Sequence, residues 1–156
     1  MYPLLSKNLN RETDGAIYFF SPAFEPLNNF SAHQIEIWGR RFPTAEHAYQ
    51  YKKFVEVAPE IAEQILNAGS PEAAQRIAHA HKTEQPKDWH EGKVAVMEDI
   101  LRAKFAQHED VREVLARSGS RKIVENSPVD DFWGCGQDGI GKNMMGVLWA
   151  KIRDKQ

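Results

Sequence analysis

The apolar period of this chain changes at Pro43, and that change restricts the fold more than any other feature. Before it, apolar residues come in short runs broken by turn formers. Residues 16–20 (AIYFF) are apolar and aromatic up to Ser21 and Pro22, where proline stops strand pairing. Residues 34–38 alternate polar and apolar before Gly39, which predicts a half-buried strand and a turn. After Pro43 the spacing is helical. Pro43 reads as a first-turn residue, with Thr44 or the turn before it as cap, and opens a helix to about residue 55. Further helices are expected over 59–67, ended by Gly69, and over 71–79, with Ser70 as cap and Pro71 in the first turn. Asp88 begins a longer helix in which Met97, Ile100, Leu101, Lys104 and Phe105 recur at helical spacing. A shorter helix covers 109–117, residues 121–125 read as a last strand, and a terminal helix starts near Gly141 with Met144, Leu148 and Ile152 in one row. The expected class is α+β: about six helices packed around a small, mostly antiparallel sheet.

With 156 residues and no repeat or linker-like tract, residues 1–156 are expected to form a single domain. Twenty basic against 22 acidic residues leave a net charge of -2. A protein that grips nucleic acid mainly by neutralising phosphates is visibly basic, so a nucleic-acid partner is not favoured. Cys135 is the single cysteine, which excludes a disulfide framework and a cysteine-based zinc site. No apolar run approaches the roughly 18–20 residues that span a bilayer. Residues 1–11 lack the basic stretch and apolar core of a signal peptide, so a cytoplasmic location without membrane contact is expected.

The stretch from Gly134 to Asn143 matches GxGxxG at Gly134, Gly136 and Gly139 and GxxxxGK from Gly136 to Lys142. Too little chain follows for a βαβ unit, and Asn143 stands where a P-loop needs the Ser/Thr that holds magnesium. What survives is an amide-rich loop leading into a helix N-terminus, either an anion cradle or a plain turn. His79 and His81 point about 200° apart on a helix and cannot share an ion. His47 follows Glu46 without completing HExxH, so no metal is expected.

On the helix after Pro43, Glu46, Gln50 and Lys53 fall at about 0°, 40° and -20° of one narrow face. A carboxylate, an amide and an amine on one stripe make either a catalytic wall or a solvated polar face. Residues 125–134 put Asp130 and Trp133 into one irregular segment. An indole beside a carboxylate suits a planar polar heterocycle, and it equally suits a core tryptophan with a capping aspartate. In the strand-turn segment 24–30, Asn28 and Asn29 either bind hydroxyls or close the turn.

These segments resemble the NADAR superfamily of N-glycosidases nearly end to end, and in particular its short bacterial branch acting on riboflavin-biosynthesis intermediates. The matching pieces are residues 25–30 (EPLNNF), 39–54 (GRRFPTAEHAYQYKKF), Trp89 with Lys104 and Phe105, 125–136 (ENSPVDDFWGCG) and 141–146 (GKNMMG). One departure is Asn28, where the family often has serine. The resemblance implies hydrolysis of an N-ribosyl bond without metal or organic cofactor, on a small phosphoribosylated aminopyrimidine whose ribose hangs on an exocyclic amine. It points to Glu46, Lys53 and Asp130 as catalytic residues. Asn29, Phe30, Gln50, Trp133, Gly134 and Asn143 are the substrate-binding residues it implies. In that assignment Glu46 shuttles the proton, and Lys53 acts as nucleophile or electrostatic stabiliser. Trp133 stacks on the base, Asp130 orients base or ribose, and Asn29 and Asn143 hold ribose hydroxyls or phosphate. The alternatives are an ADP-ribosyl-guanine hydrolase acting on modified nucleic acid and a non-catalytic ADP-ribose or nucleotide reader.

Overall fold

The computed structural model of the protein describes residues 11–19 and 24–155. The expected end of the first strand at Phe20, Ser21 and Pro22 lies outside these residues, as do residues 1–10 of the N-terminal reading. The fold is α+β, with six α-helices among the described residues, and its contacts form two compact units. One is Asn29–His108; the other joins the described residues up to Asn28 to those from Glu109 onward.

In the unit Asn29–His108, strands β3 (Ile35–Ile37) and β4 (Arg40–Phe42) form an antiparallel hairpin with Ile35 opposite Phe42 and Glu36 opposite Arg41. Trp38 (φ 54°) and Gly39 (φ 73°) make its two-residue turn, both in the left-handed region that such turns demand. Glycine adopts that conformation freely, whereas for Trp38 it is uncommon. The indole is held by an edge contact with Phe42, centroids 6.2 Å apart, and by Lys52 Nζ at 4.9 Å from its own centroid.

Helix α1 (Ala45–Phe54) is the centre of this unit and packs against α2 (Pro59–Leu66), α3 (Pro71–Ala80), α4 (Trp89–Gln107) and β4. Its cap is Thr44, whose Oγ1 accepts from His47 N–H at 3.1 Å. Pro43 therefore stands just before the cap and not inside the first turn. His47 Nε2 is 3.0 Å from the Ala68 carbonyl, to which it donates, and Nδ1 is 2.8 Å from the Thr44 hydroxyl. The buried imidazole thus ties α1 to the turn after α2. Ser70 caps α3 as expected, accepting from Ala73 N–H at 3.0 Å. Core side chains include Ile35, Phe42, Ala48, Phe54, Ile65, Met97, Ile100 and Leu101. Lys104 is buried with them and donates to Ser31 Oγ at 2.7 Å.

In the other unit, β1 (Arg11–Glu12) pairs antiparallel with β2 (Ala16–Phe19), and β2 pairs parallel with β5 (Lys122–Glu125). Among the described residues the strands thus form two small sheets instead of one, with one parallel pair. Segment 24–30 is not a strand. Its first half is a 3-10 turn, Glu25–Leu27, opened by Pro26 and packed on α5 (Glu109–Ser118). Helix α6 (Met144–Asp154) lies on β5 and α5. Trp149 is fully buried, and its Nε1–H donates to the Leu27 carbonyl at 3.0 Å. Among the described residues, no helix is long and apolar enough to cross a membrane.

Candidate active site

The polar stripe of α1 is not a solvated face. Glu46 and Gln50 are each only 6% exposed, and Lys53 is half-buried. Glu46 sits in the first turn, where the positive end of the helix favours a carboxylate. Its N–H donates to the Asn29 carbonyl at 3.1 Å, which brings the 29–30 turn to the start of the helix. Gln50 Nε2–H donates to Glu46 Oε2 at 2.7 Å, so the amide oxygen Oε1 faces away from the carboxylate. That oxygen has no hydrogen-bond partner, and neither has Asn29 Oδ1. The Asn29 amide nitrogen donates to the Met97 thioether at 3.3 Å. An unpaired buried acceptor costs about 1–3 kcal/mol, which is why such atoms are rare outside sites that receive a ligand. Phe30, next to Asn29, is 36% exposed.

Lys53 ends the stripe over an aromatic pair. Its Nζ is 5.3 Å from the Tyr49 ring centroid and 5.6 Å from that of Trp89, the two rings being 5.3 Å apart and tilted by 59°. Burial pushes its pKa below the ordinary lysine range. The Glu46 charge pulls it partly back up, while Lys93 and Lys82 push it further down. The stripe therefore combines a buried carboxylate, two unanswered acceptors and an amine biased toward its neutral form. Chemically it can exchange a proton, accept hydrogen bonds from hydroxyls or amines, and offer a nucleophilic nitrogen. Tyr49 and Trp89 are residues that spacing alone did not single out. Tyr49 is four residues before Lys53 on α1, a relation readable from sequence, whereas Trp89 arrives from α4.

Asp130, Trp133, Gly134 and Asn143 lie together in the loop joining β5 to α6. Asp130 Oδ1 accepts from the N–H groups of Phe132 (3.0 Å) and Trp133 (2.8 Å), a turn that fixes the half-buried Trp133. Gly134 is required by packing, because a Cβ there would meet the carbonyls of Glu125 at 2.8 Å and Asp130 at 2.9 Å. Asn143, left-handed at φ 51°, clasps β5: its Oδ1 accepts from Glu125 N–H and its Nδ2 donates to the Ile123 carbonyl, both at 2.8 Å. This buried amide holds the loop closed. Of the two readings of the glycine-rich loop, anion cradle or turn, the start of α6 fits the turn. The N–H groups of Met144 and Met145 already donate to the carbonyls of Phe132 (2.9 Å) and Trp133 (3.0 Å), so the chain fills that helix end itself.

The NADAR domain model matches residues 11–155. The chain belongs to the NADAR family. Among its relatives in that family is N-glycosidase Npun_R5314 of Nostoc punctiforme, 36% identical over 89% of this chain and 91% of that protein. N-glycosidase YbiA of Escherichia coli is 35% identical over 91% of this chain and 89% of its own. The NMR structure of E. coli YbiA superposes with a TM-score of 0.82 over 94% of this chain and 88% of that one. A riboflavin biosynthesis protein of Vibrio vulnificus, VVA0006, is 34% identical over 89% of this chain and 38% of that longer protein.

Proposed function

We propose that this NADAR protein hydrolyses the N-ribosyl bond of phosphoribosylated aminopyrimidines of riboflavin biosynthesis and releases ribose 5-phosphate. That it is a hydrolase of N-glycosyl bonds follows from its family and from 35–36% identity to N-glycosidases over about nine-tenths of the chain. The riboflavin biosynthesis protein of V. vulnificus supports the substrate class. The observation that carries the reading is the buried Glu46–Gln50 pair, with unanswered acceptors on Gln50 and Asn29 and the amine of Lys53 on the same helix face. The whole chain, residues 1–156, is read as one functional domain, supported by a family model that runs through both units.

The substrate's exocyclic ribosylamine opens to an imine at C1 of the sugar. The neutral amine of Lys53 adds to C1, Glu46 delivers a proton to the pyrimidine nitrogen, and the aminopyrimidine leaves. C1 is then held as an imine to Lys53. Water, deprotonated by Glu46, adds to C1 and releases the aldehyde sugar, which recloses while Lys53 is regenerated. The neutral amine grows as pH rises through the lowered pKa of Lys53. The rate is therefore expected to climb with pH and level off below the ordinary lysine value of 10.5. Borohydride added during turnover should reduce the imine and leave a sugar-phosphate mass on Lys53. Intact catalysis by Lys53→Met, with no adduct on the parent enzyme, removes the covalent route in favour of direct water attack.

The reaction itself is tested by incubating the protein with a phosphoribosylaminopyrimidine and with ADP-ribosyl-guanosine side by side, following the released sugar by mass spectrometry. Ribose 5-phosphate from the pyrimidine alone is the expected result. Release from guanosine instead assigns the site to de-modification of nucleic acid. Binding of either without release makes the protein a reader.

A further inference from the structure

The amine of Lys53 lies against two aromatic faces at once. Its Nζ is over the Tyr49 ring at 5.3 Å and over the Trp89 indole at 5.6 Å. The rings are 5.3 Å apart and tilted by 59°, so they form a wedge and not a flat stack. Tyr49 precedes Lys53 by one turn of α1, and Trp89 is the first residue of α4, which packs on α1. Both rings are buried, and packing holds them in place.

An aromatic face carries partial negative charge. It attracts a cation, more strongly where water is excluded, and does little for a neutral amine. In the covalent route Lys53 passes between those two forms. Its lone pair makes the bond to C1, and the bond from C1 to the pyrimidine nitrogen breaks with its electron pair going to that nitrogen. The departing nitrogen takes one proton from Glu46 and one from Lys53, which leaves an iminium, C1=N⁺H, on Lys53. Positive charge thus develops at the nitrogen that both faces touch. An attraction that is weak for the neutral reactant and strong for the developing iminium lowers the barrier between them.

We propose that Tyr49 and Trp89 form a cation–π seat that stabilises the iminium on Lys53, which makes both rings catalytic residues of this site. This rests on the covalent reading of the reaction given above. Burial alone keeps the amine neutral but penalises every cation formed there. The two faces offset that penalty for the intermediate, so one site can hold a neutral nucleophile and then tolerate the charge it acquires.

The test replaces Trp89 alone, in the full chain, by mono-, di- and trifluorotryptophan through stop-codon suppression. Fluorine drains the π face while leaving ring shape and burial nearly intact, and thermal unfolding verifies each fold. Two quantities are read: the high-pH plateau of kcat, and the titration of Lys53 itself by NMR of protein labelled with ¹⁵N at lysine Nζ. The plateau should fall with each fluorine, by about two- to thirtyfold across the series, the span of one cation–π contact. The Lys53 midpoint should move to lower pH in step, because a weaker face also holds the ammonium less. Glu46, Lys93 and Lys82, the other charges acting on Lys53, stay in place throughout. A plateau and midpoint independent of fluorine number overturn the seat and leave the rings a role in burial alone. A midpoint that moves while the plateau does not, with the borohydride adduct still forming on Lys53, also overturns it, since the rings then hold only the resting ammonium. Absence of any adduct on the parent instead removes the covalent reading, and the iminium seat with it.

Discussion

Glu46→Gln is expected to lower kcat by about 10²–10⁴-fold with little change in KM, the range for removing a positioned acid/base. The substitution is close to isosteric, and the amide still pairs with Gln50 across the present 2.7 Å bond. Circular dichroism and thermal unfolding should therefore report a protein near parental stability. A second readout separates chemistry from packing. Glu46 holds the pKa of Lys53 up against burial, so its neutralisation lets that pKa fall further. The rising limb of the residual pH–rate profile should then move to lower pH. Unchanged kcat would remove Glu46 from the reaction, and a lost rate with an unmoved limb would separate it from Lys53.

Gly146→Ala is expected to cost about 3 kcal/mol or more, one of the largest single-residue stability losses available in this chain. Gly146 lies in the first turn of α6 where the helix rides on β5, and an added Cβ would collide with the Ile123 carbonyl oxygen. It would also stand 2.5 Å from Asn143 Nδ2 and 2.8 Å from Oδ1, the amide that clasps the strand. These are backbone atoms and a doubly bonded side chain, so no flexible end can swing away. Either α6 lifts from β5, undoing burial of Leu148, Trp149 and Ile152, or the clasp opens and releases the 126–143 loop. For a chain of this size the midpoint of thermal unfolding should fall by roughly 6–12 °C. A fall under about 2 °C would show that helix and strand separate without penalty.

Much of the local architecture is legible in the residues because it depends on near neighbours. Ser70 and Pro71 cap and open α3 through bonds within one turn, and Thr44 does the same for α1. Helical spacing alone brings Glu46, Gln50 and Lys53 to one face. The quoted motifs suffice to identify the family. What spacing could not decide is whether that face meets water. Glu46 and Gln50 are buried because helices α2, α3 and α4 close around α1, and their surroundings come from residues far along the chain.

The sequence by itself therefore determined the α+β class, the helix order, the family and the stripe of polar residues, all set by dihedral preference, capping and short-range period. Only the tertiary structure decided three further matters. Strand β4 hides in Arg40, Arg41 and Phe42, since pairing register belongs to two segments at once and not to either composition. The glycine-rich loop lost its reading as an anion cradle because carbonyls folded back from Phe132 and Trp133 occupy the helix end. Lys53 acquired its lowered pKa from burial beside Trp89, a residue on another helix, because desolvation depends on what packs around a charge and not on its neighbours in sequence.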